Sequence, residues 1–143
     1  MIIMDTNVVS EALKPAPDAA VLAWLDAQSP ATLCLTGITL AELLAGVSAL
    51  PAGRRRNKLA QALTEQVLPL FESRVLAFDV QAAHAFARVQ AGAQAAGNPI
   101  GFADAAIAAI AAARGFALST RNVRDFKGTG VQIIDPWAPM PAR

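Results

Sequence analysis

The sequence predicts one α/β domain, built on a five-stranded parallel sheet with helices on both faces. Two observations lead to this fold class. Five short apolar runs, each of strand length, alternate with longer segments whose apolar residues recur at helical spacing. The chain of 143 residues also has no internal repeat and no linker long enough to divide it. Strands that alternate with helices form parallel sheets through right-handed crossovers, so residues 1–143 are expected to form a single unit.

The order of the predicted elements follows from the same patterns. The strands are short apolar runs at residues 2–4, 32–35, 75–78, 117–119 and 131–134. Helical periodicity predicts helices that begin at or near Asp18, Thr39, Arg54, Asp79 and Asp104. Asp18 and Asp79 are expected to be N-caps, because an Asp side chain accepts hydrogen bonds from the free N–H groups of a first turn. The proline-rich residues 136–141 are not expected to continue regular structure.

The composition excludes several classes of protein. Hydrophobic residues make up 55% of the chain, which is too many for a disordered segment. The longest apolar stretches, such as Ala105–Ala113, end at a charged residue and fall short of the roughly 18 residues that span a membrane. The N-terminus lacks the basic region and the cleavage site of a secretion signal, so a cytoplasmic protein is expected. The net charge of +1 gives no overall footprint for nucleic acid.

The single cysteine and the single histidine do not support a reactive site. Cys34 cannot form a disulfide within the chain, and its apolar neighbours predict a buried structural residue. His84 is expected to be a partly buried packing residue, because a zinc site or a catalytic triad would require further partners. Neither residue therefore indicates nucleophilic or zinc chemistry.

Three acidic residues, Asp5, Glu42 and Asp104, carry the strongest functional signal. Asp5 directly follows the first predicted strand, and the other two lie near the starts of predicted helices. In an open parallel sheet such positions converge at the carboxyl ends of the strands, where ligands bind. Carboxylate oxygens gathered there suit Mg²⁺ or Mn²⁺. The pattern therefore predicts a metal site and metal-dependent phosphoryl chemistry.

Each of these acids also has a purely structural interpretation. Asp5-Thr6-Asn7 fits a turn or a helix cap, and Thr39-x-x-Glu42 fits a capping box in which Glu42 bonds back to the Thr39 amide. Asp104 near a helix start is favoured by the helix dipole whatever its function. Capping does not explain why the acids converge, however. Crowded anions raise one another's pKa and destabilise the fold, and a divalent cation relieves that repulsion.

The segment after the fourth strand adds polar groups at the same edge of the sheet. Thr120 and Asn122 are expected to orient a metal-bound water. Asp125 is either a further acid beside the metal site or the ion-pair partner of Arg121 or Arg124. The sequence alone leaves both interpretations of Asp125 open.

A local cluster of basic residues stands out against the nearly neutral chain. Its members are Arg54, Arg55, Arg56 and Lys58. One interpretation is a solvated helix start, and the other is a surface that holds substrate phosphates on either side of the cleaved one. Arg121 is a further candidate for phosphate binding.

Four segments of the chain form an ordered set of motifs. They are Ile3-Met4-Asp5-Thr6-Asn7, Thr39-Leu40-Ala41-Glu42-Leu43, Asp104-Ala105-Ala106-Ile107-Ala108-Ala109-Ile110-Ala111 and Ser119-Thr120-Arg121-Asn122-x-x-Asp125-Phe126. In order, spacing and total length the set resembles PIN-domain nucleases, and most closely the VapC/FitB-type toxins of bacterial toxin–antitoxin pairs. The resemblance covers essentially the whole chain. Each motif is weak alone, but the ordered set is specific.

The resemblance implies a ribonuclease, an endonuclease that hydrolyses phosphodiester bonds with Mg²⁺ or Mn²⁺. The residues that match the acidic metal-site positions are Asp5, Glu42 and Asp104. Thr120 and Asn122 complete the expected catalytic set. The resemblance also implies an RNA substrate, a homodimer, and a cognate antitoxin that blocks the acidic cleft.

Three alternatives were compared with this prediction. A phosphoacceptor receiver domain would need an early acidic pair and a lysine after the fifth strand, and the chain has neither. A haloacid-dehalogenase-type phosphatase would need a second acid where this chain has Asn7. The third alternative is a PIN-like module that binds RNA or protein without cleaving. It is kept open because many relatives have a fourth acid where this chain has Asn122, for which Asp125 compensates only indirectly.

Overall fold

The core of the protein is a sheet of five parallel strands in the order β3-β2-β1-β4-β5. The computed structural model describes residues 1–138. Its strands are β1 (Ile2–Met4), β2 (Leu33–Thr36), β3 (Val75–Leu76), β4 (Ala117–Ser119) and β5 (Ile133–Ile134). The predicted fold class is therefore confirmed, although β3 and β5 are each two residues long rather than four.

The helices that connect the strands are also close to those predicted. They are α1 (Thr6–Ala12), α2 (Ala19–Ala27), α3 (Gly37–Ser48), α4 (Arg54–Ala62), α5 (Leu68–Phe71), α6 (Val80–Ala95) and α7 (Phe102–Arg114). A π-helical turn, Leu63–Val67, joins α4 to α5, and short 3₁₀ helices lie at Pro30–Thr32, Glu72–Arg74 and Val123–Phe126. Asp18 and Asp79 cap α2 and α6, as expected.

Helix α1 was missed by the sequence analysis. Its first four residues, Thr6–Val9, are polar or β-branched and have low helix propensity. The helix forms because Asp5 caps its first turn and because Val8 and Val9 are buried against the sheet. Of the proline-rich tail, residues 136–138 are in a turn, and residues 139–143 lie outside the described part of the chain.

Two layers of helices cover the two faces of the sheet, as the alternation of side chains along a strand requires. Ile3 and Cys34 belong to a core formed with α6 and α7. Met4, Leu33 and Leu35 belong to a second core, formed with α1–α3 and the segment around α5. Burial raises the pKa of the Cys34 thiol, which keeps it unreactive as expected.

Helix α7 lies deeper in the molecule than the other helices. All seven residues of Ala105–Ala111 are buried, and alanine side chains let α7 pack closely against α6. Within residues 1–138, no helix is long and apolar enough to cross a bilayer. On α6, His84 is exposed, so the expectation of partial burial was wrong.

The strand order places the topological switch point of the sheet beside β1. The connections from β1 through β2 to β3 run towards one edge, whereas β4 pairs with the other side of β1. Ligand sites in such sheets lie at the carboxyl ends of the two strands that flank this switch point. The Asp5 N–H donates to the Ser119 carbonyl at 2.9 Å, so the ends of β1 and β4 are joined directly.

Candidate metal centre

Asp5 occupies the switch point and is held there by three hydrogen bonds. Its side chain is 5% exposed. Oδ1 accepts from the Thr6 backbone N–H at 2.8 Å. Oδ2 accepts from the Thr120 hydroxyl at 2.8 Å and from the Asn7 amide Nδ2 at 3.5 Å. Asp5 therefore caps α1, as one structural interpretation predicted, but its second oxygen faces the loop after β4.

Thr120 binds the Asp5 carboxylate and has no free hydrogen-bonding position for a water. Its side chain is fully buried, and its only hydroxyl hydrogen is donated to Asp5. The hydroxyl oxygen accepts from the Asn122 N–H at 3.1 Å and from Asn7 Nδ2 at 3.3 Å. A hydroxyl has one donor and two acceptor positions, so none is left for a water. The expected role of Thr120 in orienting a metal-bound water is therefore not supported.

Asn7 was missed as a positioning residue. Its amide donates to Asp5 and Thr120, and its carbonyl oxygen accepts from the Arg121 N–H at 3.3 Å. The side chain thus joins the first turn of α1 to the loop after β4. Its spacing of two residues from Asp5 was the available signal, but that spacing equally fits a simple turn.

Glu42 faces Asp5 and does not form the capping box that its sequence suggested. The N-cap of α3 is Thr36, whose hydroxyl oxygen accepts from the Thr39 N–H at 3.0 Å. Glu42 Oε1 accepts instead from the Thr6 hydroxyl at 2.7 Å. Because Thr6 directly follows Asp5, this bond turns the exposed Glu42 carboxylate towards the end of β1.

Asp104 lies in the first turn of α7, at the same edge of the sheet. Burial raises the pKa of its carboxyl to about 6, and the negative charges of Asp5, Asp125 and Glu42 add to the effect. The pKa of Asp5 is raised as well, chiefly by burial, although its hydrogen bonds from Thr120 and Thr6 oppose the shift. The three acids predicted to converge therefore do repel one another.

Asp125 is the fourth acid of this cluster. It lies in the 3₁₀ helix Val123–Phe126, and its negative charge raises the pKa of both Asp5 and Asp104. Within residues 1–138 the one ion pair is Lys14–Glu11, so the alternative in which Asp125 pairs with a nearby arginine is wrong. Asn122, three residues earlier, donates its backbone N–H to the Thr120 hydroxyl. Its exposed side chain does not cap the helix that follows.

The arrangement is an open cluster rather than a closed cage. Within the described part of the chain, no three acidic, histidine or cysteine side chains are grouped tightly enough to enclose a metal ion by themselves. Mg²⁺ does not need such a cage, because it is usually held by one or two carboxylates and keeps several waters. Burial is the largest cause of the raised pKa of Asp5 and of Asp104. The negative charges of Glu42 and Asp125 raise the pKa of both carboxyls further, so the two share one electrostatic environment. The donor set therefore fits a hard divalent cation.

Comparison with known proteins identifies the family of this fold. The sequence pattern of the PIN-domain family matches residues 2–131, a span that includes all four acids of the cluster. The chain belongs to the PIN-domain family. The resemblance predicted from the four motifs is thereby confirmed.

Individual relatives of this PIN domain agree in length as well as in sequence. The VapC ribonuclease Y4jK of Sinorhizobium fredii is 49% identical over 139 residues, which are 97% of this chain and 99% of the relative. The crystal structure of FitAcB from Neisseria gonorrhoeae has a TM-score of 0.90 and 39% identity, and the match covers 96% of this chain and 99% of the other. The crystal structure of VapBC-5 from Mycobacterium tuberculosis, a member of the VapBC family of toxin–antitoxin systems, has a TM-score of 0.63 and 28% identity. The match covers 93% of this chain and 96% of the other.

A cleft of about 860 Å³ opens beside Glu42 in this PIN domain. Most of its wall is formed by apolar residues of α1, α3 and α4 and of the π turn, and the basic residues Lys14, Arg55 and Lys58 also line it. Arg54, which is exposed, and Arg56, which is half-buried, do not line the cleft, so only part of the basic cluster belongs to it. The exposed Arg121 lies over the ring of Trp137, with its guanidinium carbon 5.2 Å from the ring centroid.

The raised pKa of Asp104 predicts how the stability of the metal-free protein depends on pH. The folded state binds this proton more tightly than the unfolded state, because the pKa lies near 6 when folded, above the ordinary 3.8. The stability from this group is complete below pH 3.8 and is lost as the pH rises through about 6. The melting temperature of the wild type, measured relative to Asp104→Asn, should therefore fall between about pH 4 and pH 7. Parallel melting curves for the two proteins across that interval would contradict the prediction.

Proposed function

We propose that this PIN domain is a divalent-metal-dependent endoribonuclease and that it is the toxin of a toxin–antitoxin pair. The observation that carries the proposal is the convergence of Asp5, Glu42, Asp104 and Asp125 at the switch point of the sheet. Their repulsion costs stability in the free protein, and a function that requires a cation explains why that cost is retained. The names of the similar proteins supply the ribonuclease and toxin classes. We expect the protein to act in the cytoplasm, where it meets RNA.

The residues proposed to hold Mg²⁺ or Mn²⁺ are Asp5, Asp104 and Glu42. A bound cation of this kind supplies a Lewis acid that polarises a phosphoryl oxygen and lowers the pKa of water. Asp5 is suited to a fixed position, because Thr120 and Thr6 orient both of its oxygens. Oδ1 accepts only the Thr6 N–H, so it still has a second lone pair for a cation, whereas Oδ2 already accepts from Thr120 and Asn7.

Besides helping to hold the cation, Glu42 is proposed to orient the attacking water. Oε1 of Glu42 is engaged by Thr6, and the exposed carboxylate has further acceptor capacity for a proton of that water. In-line attack on phosphorus would break the bond to the 3′ oxygen and leave a 5′ phosphate. Asp125, rather than the neutral Asn122, is proposed to supply the fourth negative charge. A module that binds RNA without cleaving is the competing outcome of the following experiment.

Cleavage of RNA tests the proposed activity. The wild type should cut a mixture of structured and single-stranded RNAs in the presence of Mn²⁺ or Mg²⁺, and EDTA should abolish cutting. Asp104→Asn should lower the rate at least about 100-fold, because even the loss of a group that merely orients a metal ligand costs 10- to 100-fold. Asp26→Asn, a matched change on the exposed surface of α2, should leave the rate unchanged. RNA binding without metal-dependent cleavage would favour the non-catalytic alternative.

We also propose that RNA follows the cleft beside Glu42. Arg55 and Lys58 line that cleft, and Arg121 lies next to Thr120 with its guanidinium ordered by Trp137. Arg54 and Arg56 are proposed to contribute less, because neither of them lines the cleft. The basic cluster predicted from the sequence is thus proposed to divide into residues that contact phosphates and residues that do not.

The salt dependence of RNA binding tests this division. In the background of Asp104→Asn, which prevents cleavage, a pair of changes, Arg55→Gln with Lys58→Gln, should weaken binding. The slope of log K against log salt should become shallower by about 1.4, or about 0.7 for each lost phosphate contact to a single strand. Arg54→Gln should leave the slope unchanged. Equal slopes for all variants would assign the whole cluster to the solvated surface.

Two protein partners are proposed as well. The cleft has apolar walls and an acidic end, so a cognate antitoxin that fills it would compete directly with RNA. A second copy of the chain is proposed to cover an exposed apolar patch formed by Phe78, Val80 and Phe102. Val80 is 74% exposed and Phe102 is 66% exposed, and the rings of Phe78 and Phe102 pack at 6.5 Å. Large exposed apolar patches mark association surfaces.

Light scattering tests both partners in one series. The wild type should have twice the protomer mass of 14.8 kDa, and the antitoxin should increase the mass of the complex and stop cleavage. Val80→Asp should give a monomer, because it places a charge in the patch while adding an acid to the first turn of α6, where the helix dipole tolerates it. Leu70→Asp, at an exposed apolar residue of α5, is the control and should remain dimeric. A monomeric wild type, or a dimeric Val80→Asp variant, would contradict the dimer proposal.

A further inference from the structure

The segment that carries Asp125 is fastened to the end of α6. Residues 123–130, here called the Asp125 loop, approach α6 at Gly92. A Cβ atom on Gly92 would lie 2.6 Å from the carbonyl oxygen of Gly128. Gly128 itself has a φ of +86°, and a Cβ there would lie 2.6 Å from that of Ala96. Glycine at both positions lets the two backbones touch.

Asn98 makes the polar part of this attachment. Its amide Nδ2 donates to the backbone carbonyls of Arg124 at 2.9 Å and Lys127 at 3.2 Å, with a longer contact to that of Asp125 at 3.4 Å. The amide therefore lies against the carbonyl groups on both sides of the acid. It touches the backbone of Asp125 and not its carboxylate.

The position of Asn98 is itself fixed by the way α6 ends. Gly97 adopts a φ of +71°, which turns the chain back over the last turn of the helix. The Asn98 N–H then donates to the Ala93 carbonyl at 2.9 Å. This is the pairing of a Schellman motif, so the Asn98 side chain projects from a rigid helix end.

Burial alone does not account for the Asn98 contacts. Arg124, Asp125 and Lys127 are exposed, so water could satisfy their carbonyls. The loop is already anchored by Phe126, which is 2% exposed, and by the contact between Gly92 and Gly128. What Asn98 adds is a fixed orientation of the short turn on which Asp125 stands.

We propose that Asn98 is a positioning residue, which sets the place of the Asp125 carboxylate relative to Asp5 and Asp104. This inference rests on the proposed function, since it concerns the affinity of those acids for a divalent cation. Asn98 belongs to the connection between α6 and α7, and α7 carries Asp104. One connection therefore aligns two of the acids, Asp104 through the helix that follows it and Asp125 through the Asn98 amide.

A double-mutant cycle measured by calorimetric titration with Mn²⁺ tests the proposal on the metal-free, RNA-free protein. Asn98→Ala should weaken Mn²⁺ binding about 3- to 10-fold, at or below the lower end of the effect of groups that orient metal ligands. In the background of Asp125→Asn the same change should have no further effect, because the group through which it acts is gone. Gln94→Ala, an exposed change on the last turns of the same helix, should leave the affinity unchanged.

Each outcome of the cycle has a definite meaning. Equal affinities of the wild type and Asn98→Ala, or an equal loss with and without Asp125, would overturn the positioning role. If Asn98→Ala does not fold, Asn98→Ser takes its place, since it keeps a small polar side chain too short to reach all three carbonyls. The same loss, dependent on Asp125, is expected of it. A wild type that binds no Mn²⁺ would instead overturn the proposed metal-dependent function itself, which separates the two failures.

Discussion

The hydrogen bond between the Thr120 hydroxyl and the Asp5 carboxylate is the interaction on which the rest of the site depends. It joins the ends of β1 and β4 through buried side chains, at the topological switch point of the sheet. Two effects act on that carboxylate in opposite directions. Hydrogen bonds from Thr120 and Thr6 favour its charged form, whereas burial and the neighbouring acids disfavour it, and the net result is a raised pKa. The fold therefore holds Asp5 in place without neutralising it, and a divalent cation would supply the missing charge.

The other three acids of the cluster lie on three separate elements of the fold. Glu42 lies on α3, and the hydroxyl of Thr6, the first residue of α1, donates a hydrogen bond to its carboxylate. Asp104 lies on α7, whose alanine-rich body is buried in the core. Asp125 arrives on a short 3₁₀ helix whose backbone is fastened to the end of α6. Three different elements thus converge on Asp5, and each is held by packing or hydrogen bonds within the protein.

Much of this could be predicted from the sequence, because strand ends and helix starts follow from local patterns. The apolar run before Asp5 fixed the end of β1, and helical periodicity placed Asp104 in a first turn. The capping box was wrong for a local reason: Thr36 and Thr39 are both good N-caps, and the sequence does not show that α3 begins one turn earlier. The roles of Thr120 and Asn98 could not be predicted, since each depends on which distant groups approach it. The hydroxyl of Thr120 meets Asp5 and Asn7, which are more than 100 residues away in the sequence, and the amide of Asn98 meets carbonyls 26 to 29 residues away.

The most direct measurement of the central claim is anomalous scattering from crystals of the protein soaked in Mn²⁺ near neutral pH. The account predicts a Mn²⁺ peak in contact with the carboxylates of Asp5 and Asp104, with the Thr120 hydroxyl still bonded to Asp5 and with waters completing the coordination. Crystals of Asp104→Asn should lose that peak or show it much weakened. Wild-type crystals that bind no Mn²⁺ at these acids, while Asp5 and Asp104 keep the positions described above, would contradict the account.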